Sequence, residues 1–535
     1  MRYFLPAIVI FLFFAEIANA QGISIDTTRF VGGERNCGYS EARYSISTRD
    51  GGILLVGLTT CYSGGGDIPS NFANNGGLLN GNVLVVKLDA AMAISWVRVL
   101  GGTKFDCAFG AVQTGDGGFA VLATTESNDS DVSGNHGDED VWLVNLDSLG
   151  TLRWQKCYGS AYDEQAVAIS NTPDGGFVIL GVSNGSGGDV PSHYSGSQFD
   201  YDWFVIKADS TGAIIWTKSI GGTNDESGYG AILSANGGYY LVSSTASTDF
   251  DCTDTAWHSG VNNQNDYYIF FLDSAGAIVW DSSYGGTANE TAYTAIWDAR
   301  DSTVVINGLT YSGDGFMVHG YLGSGDMWTI KVDRNGKLLW SKCLDSSHAE
   351  EGWGICTSQQ GYIVYGSVEN GMYGGKNCWF FVLNDTGKLL SDAQFGGGLY
   401  DEPRSIVGSG DRYFATGFTG SPFFVNSVSV GFLPGAMGDM FTTRLYILPE
   451  LISTIQDVAP VSVLPNPALN ELELHMPGEA GTLRILNCVG AQIVEMPTEA
   501  SERIQMDVTQ WTKGIYLVVW KALDGKTTVS KFVKM

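Results

Sequence analysis

The stretch Asn128-Asp129-Ser130-Asp131-Val132-Ser133-Gly134 sets oxygen-bearing side chains at alternate positions before a glycine. A loop wraps a hard cation in this way, so Asn128, Asp129 and Asp131 are candidate calcium ligands, although the bidentate Glu that closes an EF-hand is missing at its spacing. Asp249, Asp251 and Asp254 form a second acidic cluster. Four histidines, His136, His193, His258 and His319, fall in successive polar stretches, where they could line a metal- or substrate-binding rim or simply be solvated. No G-x-S-x-G elbow, HExxH or P-loop is present. Carboxylates are so numerous that no two stand out as a glycosidase acid and base.

The 9 cysteines are odd in number and scattered, with no C-x-x-C and no adjacent pair, which argues against a cysteine-built zinc or redox centre. One or two disulfides are expected, and the remaining cysteines read as core residues. With 29 Lys plus Arg against 57 Asp plus Glu, the net charge is −28. Such a chain has no broad basic surface for phosphates, so nucleic acid is not an expected partner, nor is an anionic membrane. Arg2, the apolar run Phe4 to Phe14 and the small-residue site Ala18-Asn19-Ala20 read as an export signal over residues 1–20. No later run reaches spanning length, so no transmembrane segment is expected.

Elements that could position these residues emerge from self-similarity with a period of about sixty residues. Trp142 to Trp154, Phe204 to Trp216, Tyr268 to Trp280 and Trp328 to Trp340 share one pattern, with an Asp before a D-x-x-G turn and a final Trp. A small-residue pair follows, as at Gly101-Gly102, Gly159-Ser160, Gly221-Gly222 and Gly285-Gly286. An acid or Asn then opens a short strand, for which the repeats suggest Asn36, Asp106, Asp163, Asp225, Asn289, Glu350 and Asp401. Seventy-one glycines and 13 prolines, with 16% charged residues, fit many tight turns between short strands rather than helices. Four strands per unit and seven units predict an all-β chain: a seven-bladed β-propeller over 21–448. Tyr446 is followed by Pro449, so the N-terminal strand is expected to complete the last blade. The repeated Trp reads as packing between blades. Asp106, Asp163, Asp225, Glu226, Glu350, Glu351, Asp401 and Glu402 are expected near one mouth of the channel as a negative ring.

After a linker over 449–456, residues 457–535 carry Pro465-Asn466-Pro467, a mid-segment Gly490, Gly514-Ile515-Tyr516 and a terminal Lys531-Phe532-Val533-Lys534. This segment resembles the C-terminal sorting domain of the type IX secretion system. The resemblance implies a small Ig-like β-sandwich, the secretion machinery as partner, and a mature protein that is secreted or attached to the outer cell surface. The repeats are similar to those of propeller-like proteins that accompany this sorting domain. They also resemble, more weakly, the tryptophan-docking repeats of quinoprotein dehydrogenases, but Asp209 and Gly212 stand one residue too close, and no adjacent cysteine pair exists for a quinone. No cofactor is expected, and calcium is the one ion the loops could hold. The reading of function is a noncatalytic module that binds a glycan or a surface protein through its loop-rich face. The alternative is a polysaccharide-acting hydrolase or lyase at the channel mouth; a passive surface scaffold is the third.

Overall fold

The computed structural model describes residues 23–32, 39–61, 66–69, 81–254 without 195, 196, 198 and 227, 264–316, 325–344, 348–420 without 372–374, 397 and 411, 439–447 and, with short interruptions, 461–534. They form two compact units, whose main segments are Ile25–Leu445 and Tyr446–Met535.

The first unit holds seven four-stranded sheets among the described residues. Sheet one runs Ser40–Ser47, Ile53–Thr59, Asn82–Leu88 and Ile94–Leu100, each strand paired antiparallel to the next. The same meander recurs five times, its innermost strands being Asp106–Gln113, Glu164–Asn171, Ala231–Ala235, Glu290–Asp298 and Glu350–Ser358. In sheet seven, Asp401–Ser409, Arg412–Thr419 and Asp439–Ile447 are completed by the N-terminal strand Ile23–Val31. Thr28 and Thr443 meet there through their hydroxyls at 2.9 Å. Innermost strands contact their successors, and the last contacts the first, so the sheets close into a ring. The unit is a β-propeller whose sheets are its blades.

Burial explains why each strand has its composition. The two middle strands of a blade are covered on both faces by neighbouring blades, and all seven residues of Ile53–Thr59, Phe119–Thr125 and Phe177–Ser183 are buried. One apolar cluster joins Leu54, Val56, Val83 and Val85 of blade one to Phe119, Val121, Trp142 and Val144 of blade two. Burying side chains of this size stabilises by roughly 1.5–3 kcal/mol each.

The D-x-x-G turn and the terminal Trp lock neighbouring blades together. Asp147 Oδ1 accepts the backbone N–H groups of Leu149 and Thr151, both at 2.8 Å, and Gly150 takes φ +78°. A Cβ on Gly150 would lie 2.8 Å from the Trp96 ring, whose Nε1 donates to the Ser148 carbonyl at 3.1 Å. Gly212 meets Trp154, Gly276 meets Trp216, Gly336 meets Trp280 and Gly387 meets Trp340 in the same way. Glycine is required at these turns both for left-handed backbone and for ring-to-backbone approach.

The second unit has a three-stranded sheet (Ser462–Leu464, Glu471–His475, Arg503–Asp507) and a four-stranded sheet (Gln492–Thr498, Gly481–Asn487, Gly514–Ala522, Thr527–Lys534). Leu472, Leu474 and Ile504 of the first sheet share one core with Leu483, Ile485, Tyr516 and Trp520 of the second. No helix of the described residues is long and apolar enough to cross a membrane.

Candidate functional site

In six blades the innermost strand opens on a buried polar residue, and in blade four Glu226 takes that place five residues ahead of the strand, in an isolated bridge with Thr245. The true register is Ser40, Asp106, Glu164, Glu226, Glu290, Glu350 and Asp401, each at most 1% exposed. The expected acids at 163, 225 and 289 therefore sit one residue early, and position 36 lies outside the described residues. Asp163 and Asp225 instead hold loops, accepting from Asn184 Nδ2 at 3.1 Å and from the Tyr201 backbone N–H at 2.7 Å. The buried acids do not face the channel as a negative ring. Glu290 accepts from Thr310 Oγ1 at 2.8 Å and from the Gly286 N–H at 2.9 Å, and Glu164 accepts likewise from Ser183 Oγ and the Ser160 N–H. The small-residue pair is thus the backbone donor that the buried carboxylate needs, because an unpaired buried charge is costly.

A second polar residue, at the start of the third strand of the preceding blade, packs against this acid. Glu226 hydrogen-bonds Asp202, and Glu290 hydrogen-bonds Asp266, carboxyl to carboxyl. Burial first, and the facing Asp second, push Glu290 up to about 8 and Glu226 well above the usual range, so each pair shares a proton. Where the inner acid is the shorter Asp106 or Asp401, the facing residue is Asn82 or Asn377, an amide that can donate without a shared proton. Burial raises Asp106 to about 6.

Three residues beyond the acid the repeats stop agreeing. This position holds Arg43, Phe109, Val167, Tyr229, Tyr293, Trp353 and Arg404, and all seven line a central cavity of about 600 Å³. In six blades the residue is a β-bulge, skipped in the pairing between, for example, Gly352 and Gly354 or Pro403 and Ser405. A bulge adds one residue to a strand and re-aims its side chain, here toward the channel. In blade four, Tyr229 stands two residues before the strand.

The side chains at this mouth touch one another. Tyr293 stacks on Trp353 with centroids 4.4 Å apart, and Tyr229 meets Tyr293 edge-on at 5.0 Å. Arg404 lies over the Trp353 ring at 4.7 Å, and Arg43 over Phe109 at 5.1 Å. Arg404 bridges Glu41 at 2.8 Å and Glu402 at 3.0 Å, and Arg43 reaches Glu41 at 3.5 Å. Lys376 bridges Glu351 at 2.6 Å and Glu402 at 3.6 Å. Burial pulls the Lys376 ammonium down, but its hydrogen bond to Glu351 makes the net shift upward. Glu351 and Glu402, expected at the mouth, are there, as members of ion pairs. Cys107 adjoins the rim, but burial pushes its thiol up to about 12, so it is no nucleophile at neutral pH.

The loop residues read as calcium ligands serve loop closure. Asp129 accepts from the Thr103 N–H at 2.9 Å and from its hydroxyl at 2.8 Å, Asp131 accepts from the Gly101 N–H at 3.3 Å, and Asn128 Oδ1 accepts from the Gly134 N–H at 3.0 Å. Asp249 repeats the Asp129 role on Thr223, at 2.9 and 3.0 Å. Among the described residues no group of three or more His, Cys, Asp or Glu is placed to hold a metal ion. His136 pairs with Asp140 at 2.7 Å and His193 with Asp202 at 3.7 Å, each within its own blade; His258 and His319 lie outside the described residues. Cys61 is disulfide-bonded, whereas Cys107, Cys157, Cys252, Cys343, Cys356 and Cys378 are in no disulfide.

In the second unit, Pro465, Asn466, Pro467 and Gly490 lie outside the described residues. Gly514 pairs with Lys534 and Leu517 with Lys531, so the terminal Lys-Phe-Val-Lys is a strand along the Gly-Ile-Tyr strand. Tyr516 is buried, with its ring 5.0 Å from Trp511, and Lys534 is buried at the sheet end.

Residues 462–535 match the family described as the secretion system C-terminal sorting domain. That segment directs export, to the medium or the cell surface. No curated protein matches the chain. Similar solved structures include Kuenenia stuttgartiensis hydrazine synthase (12% identity, 72% of this chain and 94% of that one, TM-score 0.42). Two others are the Neurospora crassa Pan2 WD40 domain (8%, 81% and 98%, TM-score 0.40) and the β-propeller domain of the Trilobed protease from Pyrococcus furiosus (8%, 80% and 94%, TM-score 0.38). Likeness at this level carries no argument about activity.

Proposed function

We propose that this exported propeller is a noncatalytic recognition module, binding a glycan or a surface protein at the channel mouth. The observation that carries this reading is the position three residues beyond the buried acid, where the blades diverge into arginines and aromatics around a single cavity. Loops and strand ends on a rigid scaffold are where recognition is built, and a cavity of about 600 Å³ is of ligand size. The rim carboxylates Glu41, Glu351 and Glu402 are engaged with rim cations, an arrangement suited to holding polar groups rather than delivering a proton. The signal peptide over 1–20 and the sorting domain supply the route to the surface.

The test is retention of the purified full chain on immobilised glycans and on candidate surface proteins, with calcium or a chelator, while released sugars are assayed. Retention without product is expected. Calcium dependence would bring Asn128, Asp129 and Asp131 into the site. Sugar release would replace this reading with a hydrolase or lyase.

A further inference from the structure

We infer that the ligand of the channel mouth is an uncharged glycan chain, an inference that rests on the recognition reading above. Two independent features of the rim specify that class. The first is charge: three cations (Arg43, Arg404, Lys376) face three carboxylates (Glu41, Glu351, Glu402) in one connected set of ion pairs. The rim is thus locally neutral in a chain of net charge −28. A polyanion would meet repulsion from the whole molecule and no unbalanced cation among these six residues, and a polycation would have to displace Arg43, Arg404 and Lys376 from the carboxylates they pair with. What the rim does offer is forked donors beside carboxylate acceptors, and a hydroxyl is the group that both donates and accepts.

The second feature is the distribution of aromatic surface. Tyr39, Tyr162 and Tyr400 precede innermost strands, Phe250 and Tyr311 follow second strands, and Tyr229 stands on the rim itself. In an antiparallel meander these positions share one end of the ring, and the six are between 36% and 59% exposed. Exposed apolar residues of the outer strands and their turns are aliphatic instead, as at Ile215, Val279 and Leu339. Flat aromatic faces next to paired donors and acceptors match a pyranose, which has an apolar C–H face and an equatorial belt of hydroxyls. Tyr and Trp present both an apolar body and a polar tip for such a surface.

The test is calorimetric titration of the full chain with defined uncharged hexasaccharides (cello-, laminari-, malto-, manno- and xylo-configured) and with uronate oligomers of the same length. At least one uncharged series is expected to bind, with affinity changing less than about twofold between low and 0.5 M salt, since no ionic attraction is there to screen. Tyr229→Ala and Trp353→Ala are expected to weaken it about tenfold or more, as loss of an anchoring aromatic does, whereas Trp353→Phe retains most of it. Tyr229 is 51% exposed, so its variant folds even where Trp353→Ala does not. Preference for uronates, or binding indifferent to Tyr229→Ala, would overturn the inference. Retention of a surface protein with no hexasaccharide bound would overturn it too, while leaving the recognition reading standing. Sugar bound and cleaved would do the opposite, upholding the ligand class against the noncatalytic role.

Discussion

Two positions three residues apart in each blade, both on the innermost strand in all but blade four, behave in opposite ways. Asp106, Glu164, Glu226, Glu290 and Asp401 do one job in five blades: they are buried and receive hydroxyl or backbone donors, and Glu350 is buried at the same position in a sixth. At the neighbouring position, chemistry ranges from valine to tryptophan to arginine around a shared cavity. A residue needed by every blade is needed by the fold, and departure from the repeat marks where the ring as a whole has one specialised place.

Glu290→Ala strikes the first position hardest. It removes the acceptor of Gly286 and Thr310 and leaves Asp266 without its proton-sharing partner. Denaturant titration of the full chain should show a loss of about 3–5 kcal/mol, the range for breaking a buried charged pair.

Asp266→Asn sharpens the same point by setting opposite Glu290, on blade four, the amide that this chain already carries at 82 and 377. Burial and the facing Asp266 raise folded Glu290 to about 8, against its ordinary 4.5. The folded state therefore holds more protons, and the pair's contribution is full below about pH 4.5 and lost as pH rises through about 8. The amide variant needs no shared proton. Its melting temperature should match the parent near pH 5 and exceed it at pH 9, by an amount on the order of a few kcal/mol in stability.

Gly212→Ala tests the blade lock. Its φ is +78°, and a Cβ would stand 2.8 Å from the Trp154 ring, so a loss of about 1–3 kcal/mol is expected in the same titration. Tyr229→Ala is the smallest in stability, within about 1 kcal/mol for an exposed rim residue, yet it should abolish most ligand retention. If Tyr229→Ala unfolded the chain while Glu290→Ala did not, the division between the two positions would collapse.

Much of this was readable in the residues. The D-x-x-G turn, the terminal Trp and the small-residue pairs report backbone requirements that only a few residue types meet, so the sheets and the latch by the N-terminal strand could be placed. The acid register slipped by one at 163, 225 and 289 because polar residues stand side by side there, and burial, not residue type, distinguishes Glu164 from Asp163. The rim escaped notice for a related reason. A bulge breaks the alternation of in and out along a strand, so Trp353 and Arg404 cannot be assigned to the channel by counting in twos. Aligning the repeats on the buried acid and reading three residues on would have found them. The loop acids drew attention by their alternate spacing before a glycine, a spacing that loop closure also produces, and Asp129 and Asp249 share one loop-closing role.

The latch between Ile23–Val31 and Asp439–Ile447 also fixes an order of events. The first strand to leave the ribosome must wait for nearly the last of the propeller before it gains its sheet, with Thr28 and Thr443 separated by 415 positions. Contacts of such sequence separation form late and slowly, because a long loop must close before they contribute. The ring thus acts as its own timer: blade seven lacks its last strand until residue 447 exists, and a chain captured for transport before then would travel with an open seam.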